Sequence, residues 1–452
     1  MPKSPNTRLR DLMDEAGWNP PQLAAAVKAI AAEQGMHSGC ERSSVSRWLS
    51  GVAPRPPVAT YLVEALARKL GRPLTAQEAG LTSAPADAAQ ADLSWQTDPI
   101  RKLVSLTGPD ADPRRRHRPA VGIFTQAALA VPAAASLAHT PTATWHAIGS
   151  RIDRSGRVGH GEVEHMRTMT RLFAQAAQNH GAGHTRPVLN FYLGHDVTGW
   201  LHAPTTETVH RQLLVAASQL TTLLGLMSAD HGADALSQHC YRTAAHLAAD
   251  ADDTTAFAIA LRALSSHAHV IGHHIPDVHH LAERAVDASR HAPLGVRAYT
   301  HAHLALMRAH HDRHRAVSTL ADAERLNERA DDTPEPFVTY PAGALYYQSA
   351  QIFATLGDRG AAVRALTASL GHRTPAERLA SAITRARLAE TLLAQGHLDA
   401  ATVHWRAFVE TYPLLHSVAV GRRLDAMRRL LRPHARHHTA ARLLAETADL
   451  RP

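Results

Sequence analysis

Two stretches of the chain align on each other at an offset of 39 residues: AQIFATLGDRGAAVRAL (350–366) and AETLLAQGHLDAATVHW (389–405), with Gly357 and Gly396 in register. In each, a run of helical period ends at glycine and a second run begins with small residues, Ala361-Ala362 in one and Ala400-Ala401 in the other. A weaker copy, MRAHHDRHRAVSTL (307–320), aligns Ala316 with Ala362, and HAHVIGHHIPDVHHLAERA (267–285) breaks at Gly272. A helix pair that recurs about every 40 residues cannot bury its apolar face alone; it does so by stacking on the next pair, as an α-solenoid. The period predicts helices 212–229 paired with 233–249, 254–272 with 276–291, 295–311 with 314–328, 342–356 with 359–370, and 376–395 with 398–411. A cap follows over 415–449. Alanine at the breaks predicts close approach between neighbouring helices.

Alternating β-branched patterns are scarce, so the fold class read from the chain is all-α: a small N-terminal domain followed by a solenoid of helix pairs. Three zones emerge. Residues 1–81 carry helix punctuation. Residues 82–120, with SAPADAAQAD and the run Arg114–Arg118, read as a flexible linker, because such composition buries too little apolar surface to order itself. Residues 121–452 form the array.

Composition narrows the function. Among 452 residues, 48 Lys and Arg stand against 40 Asp and Glu, a net charge of +8 that favours a polyanionic partner without requiring one. The two cysteines, Cys40 and Cys240, are too few for a disulfide scaffold or a Cys-based zinc site. The N-terminus has no apolar signal core, and no uninterrupted apolar stretch approaches the ~18 residues of a membrane span. A cytoplasmic protein with no membrane partner is expected. Nucleotide-binding, hydrolase and dinucleotide motifs do not appear in suitable context, so no enzyme and no cofactor are expected.

Within the first zone, Thr7 is read as the cap of a helix through Ala16, and Asn19 as the cap of a second, with Pro20 and Pro21 in its first turn and its end near Gly35. A third helix spans 43–50 and stops at Gly51; a fourth spans 58–70; Thr75 caps a short last one. Residues 41–72 hold six cations and two acids.

The segment LAAAVKAIAAEQG…ERSSVSRWLSG resembles the Cro/C1-type helix-turn-helix family: Leu23-Ala24 in helix two, Val45, Ser46 and Trp48 in helix three, then Gly51-Val52-Ala53-Pro54. The spacing from Leu23 to Val45 is about seven residues longer than the family's common form. With the tail RPPVATYLVEALARKLGRPLTAQEAGL and the repeats, most of the chain resembles helix-turn-helix regulators of streptomycetes and other actinobacteria that carry tetratricopeptide-like repeats. The resemblance implies a sequence-specific DNA-binding regulator, a repressor of developmental or secondary-metabolism genes, associated with the nucleoid. A helix entering the major groove offers its first side chains to base edges. The candidate DNA-binding residues are Arg42, Ser43, Ser44, Ser46 and Arg47 on helix three, Gln22 at the start of helix two, and Arg55 beyond. Arg68, Lys69 and Arg72 are further phosphate contacts in this reading, and Trp48 is core.

One such head reads about half a site, so a homodimer on double-stranded DNA is expected. The array would supply dimerisation or bind a peptide, small molecule or protein, with Tyr241, Arg242, Tyr346, Tyr347, Gln348 and Trp405 as possible groove residues. The linker would let a bound ligand change the spacing of two heads. The alternative is a helical-repeat adaptor whose N-terminal domain binds protein. The chain has 33 histidines. His269 with His273, and His434 with His438, have the i, i+4 spacing of metal ligands on a helix, and GHGEVEH (159–165) has suitable residue types. No HExxH motif selects them and chance pairs are expected at this abundance, so no metal is expected.

Overall fold

The computed structural model describes residues 4–33, 36–55, 57–72, 74, 76–81, 95, 97–108, 123–132, 158–330 and 336–450. Among them every regular element is helical. Gly35, Thr75 and the run Arg114–Arg118 lie outside the described residues.

Four helices build the N-terminal head: α1 (Thr7–Glu15), α2 (Pro20–Glu33), α3 (Arg42–Leu49) and α4 (Val58–Leu70). Their apolar faces meet in one core around Leu9, Leu23, Val27, Val45, Leu62 and Leu66. The cap of α1 is Asn6, one residue before the expected Thr7, and it fastens three elements. Its Oδ1 accepts from Leu9 N–H at 3.0 Å, its Nδ2 donates to Ala79 O at 3.0 Å, and its backbone N–H donates to Leu49 O at 2.9 Å. The cap at Asn19 forms as expected.

The expected linker departs from its reading over 98–107. There α5 (Pro99–Thr107) forms, capped by Asp98, whose Oδ1 accepts from Ile100 N–H at 2.7 Å. Ile100, Leu103 and Leu106 enter the core of the array. The signals were in the chain, an aspartate cap, proline at the first position and three apolar residues at helical spacing. The surrounding Ala, Pro and Asp composition outweighed them.

The array opens with α6 (His160–His180), α7 (Ala182–Tyr192) and, after one wide turn, α8 (Thr198–His202). The repeat then runs as expected. Its pairs are α9 (Glu207–Asp230) with α10 (Asp234–Asp250), α11 (Thr254–Val270) with α12 (Pro276–Ala288), α13 (Leu294–Ala309) with α14 (Arg313–Glu328), α15 (Ala342–Thr355) with α16 (Arg359–Gly371), and α17 (Arg378–Leu393) with α18 (Leu398–Thr411). The cap comprises α19 (Val418–Leu431) and α20 (His438–Glu446). Gly357 and Gly396 take φ of +80° and +86°, a conformation that lets the chain leave one helix and re-enter the next without a Cβ clash. Of the alanines that mark the repeat, Ala316, Ala361, Ala362 and Ala401 are buried, where a larger side chain would push the helices apart, whereas Ala400 is exposed.

Among the described residues one helix, α9, is long and apolar enough to cross a membrane; 72% of its apolar window is buried inside the protein, as expected of a helix packed within a stacked array. The array also curls until its end meets its beginning. His416 N–H donates to His180 O at 2.7 Å, Gly183 N–H donates to His416 O at 2.8 Å, and α17 packs on α6.

Candidate nucleic-acid interface

Helix α3 sits against the head core through Val45 and Trp48, while Arg42, Ser43, Ser46 and Arg47 are exposed. Spacings of four separate Arg42 from Ser46 and Ser43 from Arg47, so the four share the outward face. The helix stops abruptly. Gly51 N–H donates to Trp48 O and Val52 N–H to Arg47 O, both at 3.0 Å, with Gly51 at φ +93°. This Schellman closure turns the chain out of the helix toward the exposed Arg55.

Ser44 departs from the expected set. Only 9% of it is exposed, and its Oγ accepts from Glu41 N–H at 3.4 Å across the helix start. The third position of a helix whose cap is Glu41 points back at the cap, not outward. Gln22 is exposed, but its Oε1 accepts from Asn19 N–H at 2.9 Å while Asn19 Oδ1 accepts from Gln22 N–H at 3.0 Å. The Gln22 side-chain oxygen and backbone N–H at the start of α2 are therefore spent on this reciprocal cap.

The expected cations also separate. Arg68 is held by Glu33 at 2.9 Å and Glu64 at 2.8 Å, and Arg72 by Glu15 at 2.9 Å, so both already have acidic partners. Among the described residues no salt bridge engages Arg42, Arg47 or Arg55. Two of the three cations of the α4 region, Arg68 and Arg72, are thus paired, whereas Lys69 is exposed and unpaired like Arg42 and Arg47 on α3.

The sequence reading missed the seam that joins head to array. Residues 123–131 run between them. Ile123 enters the head core, and Phe124, Leu129 and Val131 enter the array core. Phe124 stacks on His273 with centroids 4.7 Å apart and planes at 16°. Thr125 is gripped from both sides. Its hydroxyl donates to Glu64 Oε2 of α4 at 2.6 Å, and its backbone exchanges two hydrogen bonds with the Gln238 side chain of α10, at 2.9 and 2.7 Å. Gln126 N–H donates to Glu64 Oε1 at 3.2 Å. Burial pushes the Glu64 carboxyl up, and its bonds from Thr125 and Arg68 partly offset that. Arg242 supports the segment from the array, donating to Ala130 O at 3.0 Å and lying over the Trp95 ring at 4.3 Å. A loose tether between head and array, the premise of the spacing mechanism, does not describe these contacts. The only signal in the chain was the Ile123-Phe124 pair in an Ala- and Pro-rich stretch.

The groove candidates in the array are mostly core. Tyr241 and Trp405 are fully buried, and Arg242 and Gln348 are buried; Tyr346 and Tyr347 are half-buried. The expected histidine pairs come apart. His269 turns toward His274 and His310, whereas its expected partner His273 lies on Phe124. His434 is in a short 3-10 turn before α20, and His438 begins α20, so the two share no helix. Both cysteines are free and buried.

Residues 9–82 match the family model described as the SP15 N-terminal domain, a span that coincides with the head. The comparison with curated proteins finds no match for the chain.

Proposed function

We propose that the chain is a sequence-specific DNA-binding transcriptional regulator of the Cro/C1 helix-turn-helix type, with α3 as its recognition helix and the array as its dimerisation and sensing part. The observation that carries the reading is the charge arrangement of the head. Arg42, Arg47 and Arg55 are exposed and without an acidic partner, while Arg68 and Arg72 are paired. Solvent-facing cations grouped beside a short, exposed helix are what phosphate and guanine edges require. Arg47 and Arg42 are the candidate base contacts, with bidentate bonds to guanine O6 and N7. Ser43 and Ser46 supply short permissive contacts, and Arg55 a phosphate contact. Two heads on one dimer would read an inverted repeat. Repression of developmental or secondary-metabolism genes, and an actinobacterial origin, follow from the sequence resemblance.

The seam changes the mechanism that suits this reading. A head fastened through Glu64, Thr125 and Gln238 would follow the array as it moves, so a ligand on the array would set the heads' angle by rigid-body motion.

The test is selection of sheared DNA by the purified full-length protein, with Arg47→Ala beside it. Enriched fragments that share an inverted repeat and disappear with the variant support the reading. Anisotropy on such a fragment should show affinity falling with salt, with a slope smaller by about 1 for each phosphate-contacting cation removed. An affinity that ignores salt, or one that is indifferent to both Arg42→Ala and Arg47→Ala, rejects it in favour of a protein-binding head.

A further inference from the structure

Three imidazoles from two successive repeats converge at one end of the array. His269 belongs to the last turn of α11, His274 to the turn into α12, and His310 caps α13. Their ring centroids are 4.8, 5.1 and 5.0 Å apart, and one ligand nitrogen from each lies within 4.8 Å of the others. Side chains about 40 residues apart in sequence reach one point because the stacked pairs bring the end of one helix beside the end of the next. His269 is half-buried, and its Nδ1 is buried with no hydrogen-bond partner. Such an atom costs free energy unless something binds it. His274 and His310 are exposed, which leaves a path for an ion and an open side for a further ligand.

We propose that His269, His274 and His310 form a binding site for one first-row transition-metal ion of the kind that imidazole binds well, with zinc as the ion tested. Neutral imidazole is the donor these ions prefer, and an all-nitrogen set disfavours magnesium and calcium, which require oxygen. Zinc–nitrogen bonds of about 2.0–2.1 Å need nitrogens about 3.4 Å apart, so modest rotation of the two exposed rings closes the set. The site adjoins His273, on which Phe124 of the seam stacks, so the ion would sit beside the fastening of the head.

The experiment uses the full chain stripped of metal by a chelator, then titrated with zinc against a chromophoric competitor. A parallel titration with cobalt(II) reads visible ligand-field absorption. One tight site is expected, with a cobalt spectrum of tetrahedral or five-coordinate intensity. The double variant H274A/H310A removes two exposed rings and leaves the core untouched. It should weaken that site by about 100-fold or more and abolish the visible band, an effect at least as large as losing an outer-shell partner. His437→Ala with His438→Ala, a histidine pair with centroids 5.0 Å apart elsewhere on the surface, should change neither. The proposal is overturned if the wild-type chain shows no site tighter than its variants, or if the control pair weakens zinc as much as H274A/H310A does.

Discussion

Replacing Phe124 with alanine tests whether the head is fastened to the array or merely tethered. Phe124 is 2% exposed, lies in the array core and stacks on His273. Removing a buried phenylalanine costs about 3–5 kcal/mol through lost burial and the cavity it leaves. The loss falls on the seam, because the backbone flanking Phe124 is held by side chains from outside its own segment. Thr125 N–H is protected by Gln238 Oε1 of the array, and Gln126 N–H by Glu64 Oε1 of the head. These two amides therefore report local opening of the seam. At about 1.4 kcal/mol per factor of ten, their hydrogen exchange should quicken by roughly two to three and a half orders of magnitude, up to the unprotected rate. Exchange within α10 and α4 should move much less. Mass-spectrometric or NMR exchange on the full chain reads both. The reasoning fails if Thr125 and Gln126 exchange at the wild-type rate in Phe124→Ala. It fails equally if every core amide of the array accelerates in step, which would mean that the seam does not open by itself.

Burial, followed by the charges of Arg242 and Lys102, pushes His239 down to about 4. A histidine depressed in the folded state contributes stability above its unfolded value near 6.5 and loses it as pH falls toward 4, a loss of about 3 kcal/mol to order of magnitude. Urea midpoints should therefore drop between pH 7.5 and 4.5, and His239→Gln should flatten that dependence; an unchanged slope contradicts the assignment. Ser44→Ala should cost about 1 kcal/mol of head stability through the lost cap while leaving DNA affinity at saturation of folding unaltered, since Ser44 is spent on Glu41. A large loss of affinity without loss of stability would return Ser44 to the interface. Ala362→Leu, at a fully packed helix crossing, should destabilise the array by about 1–3 kcal/mol in chemical denaturation, whereas a neutral result would mean that the crossing has slack.

The solenoid is legible in the chain because its signal is local and repeated. The 39-residue register of Gly357 and Gly396 and the alanines behind them specify where one helix ends and how near the next must come. The helices of the five predicted pairs appear within three residues of their expected bounds, except α9, which begins five residues before the expected 212. The outward face of α3 was legible for the same reason: Val45 and Trp48 at helical spacing fix which side is buried, so Arg42 and Arg47 are left outside. What the chain did not disclose depends on partners distant in sequence. Nothing near Arg68 announces that Glu33 and Glu64 hold it, and nothing near Ser44 separates a cap from a contact except the true start of the helix. The seam is the extreme case, since Glu64, Thr125 and Gln238 are joined across three elements and more than a hundred residues. The histidine triad is another: periodicity paired His269 with His273 on one helix, and only the stacking of successive repeats turned it to His310. Periodicity reports which side of an element is buried; which residue waits on the other side is decided by packing.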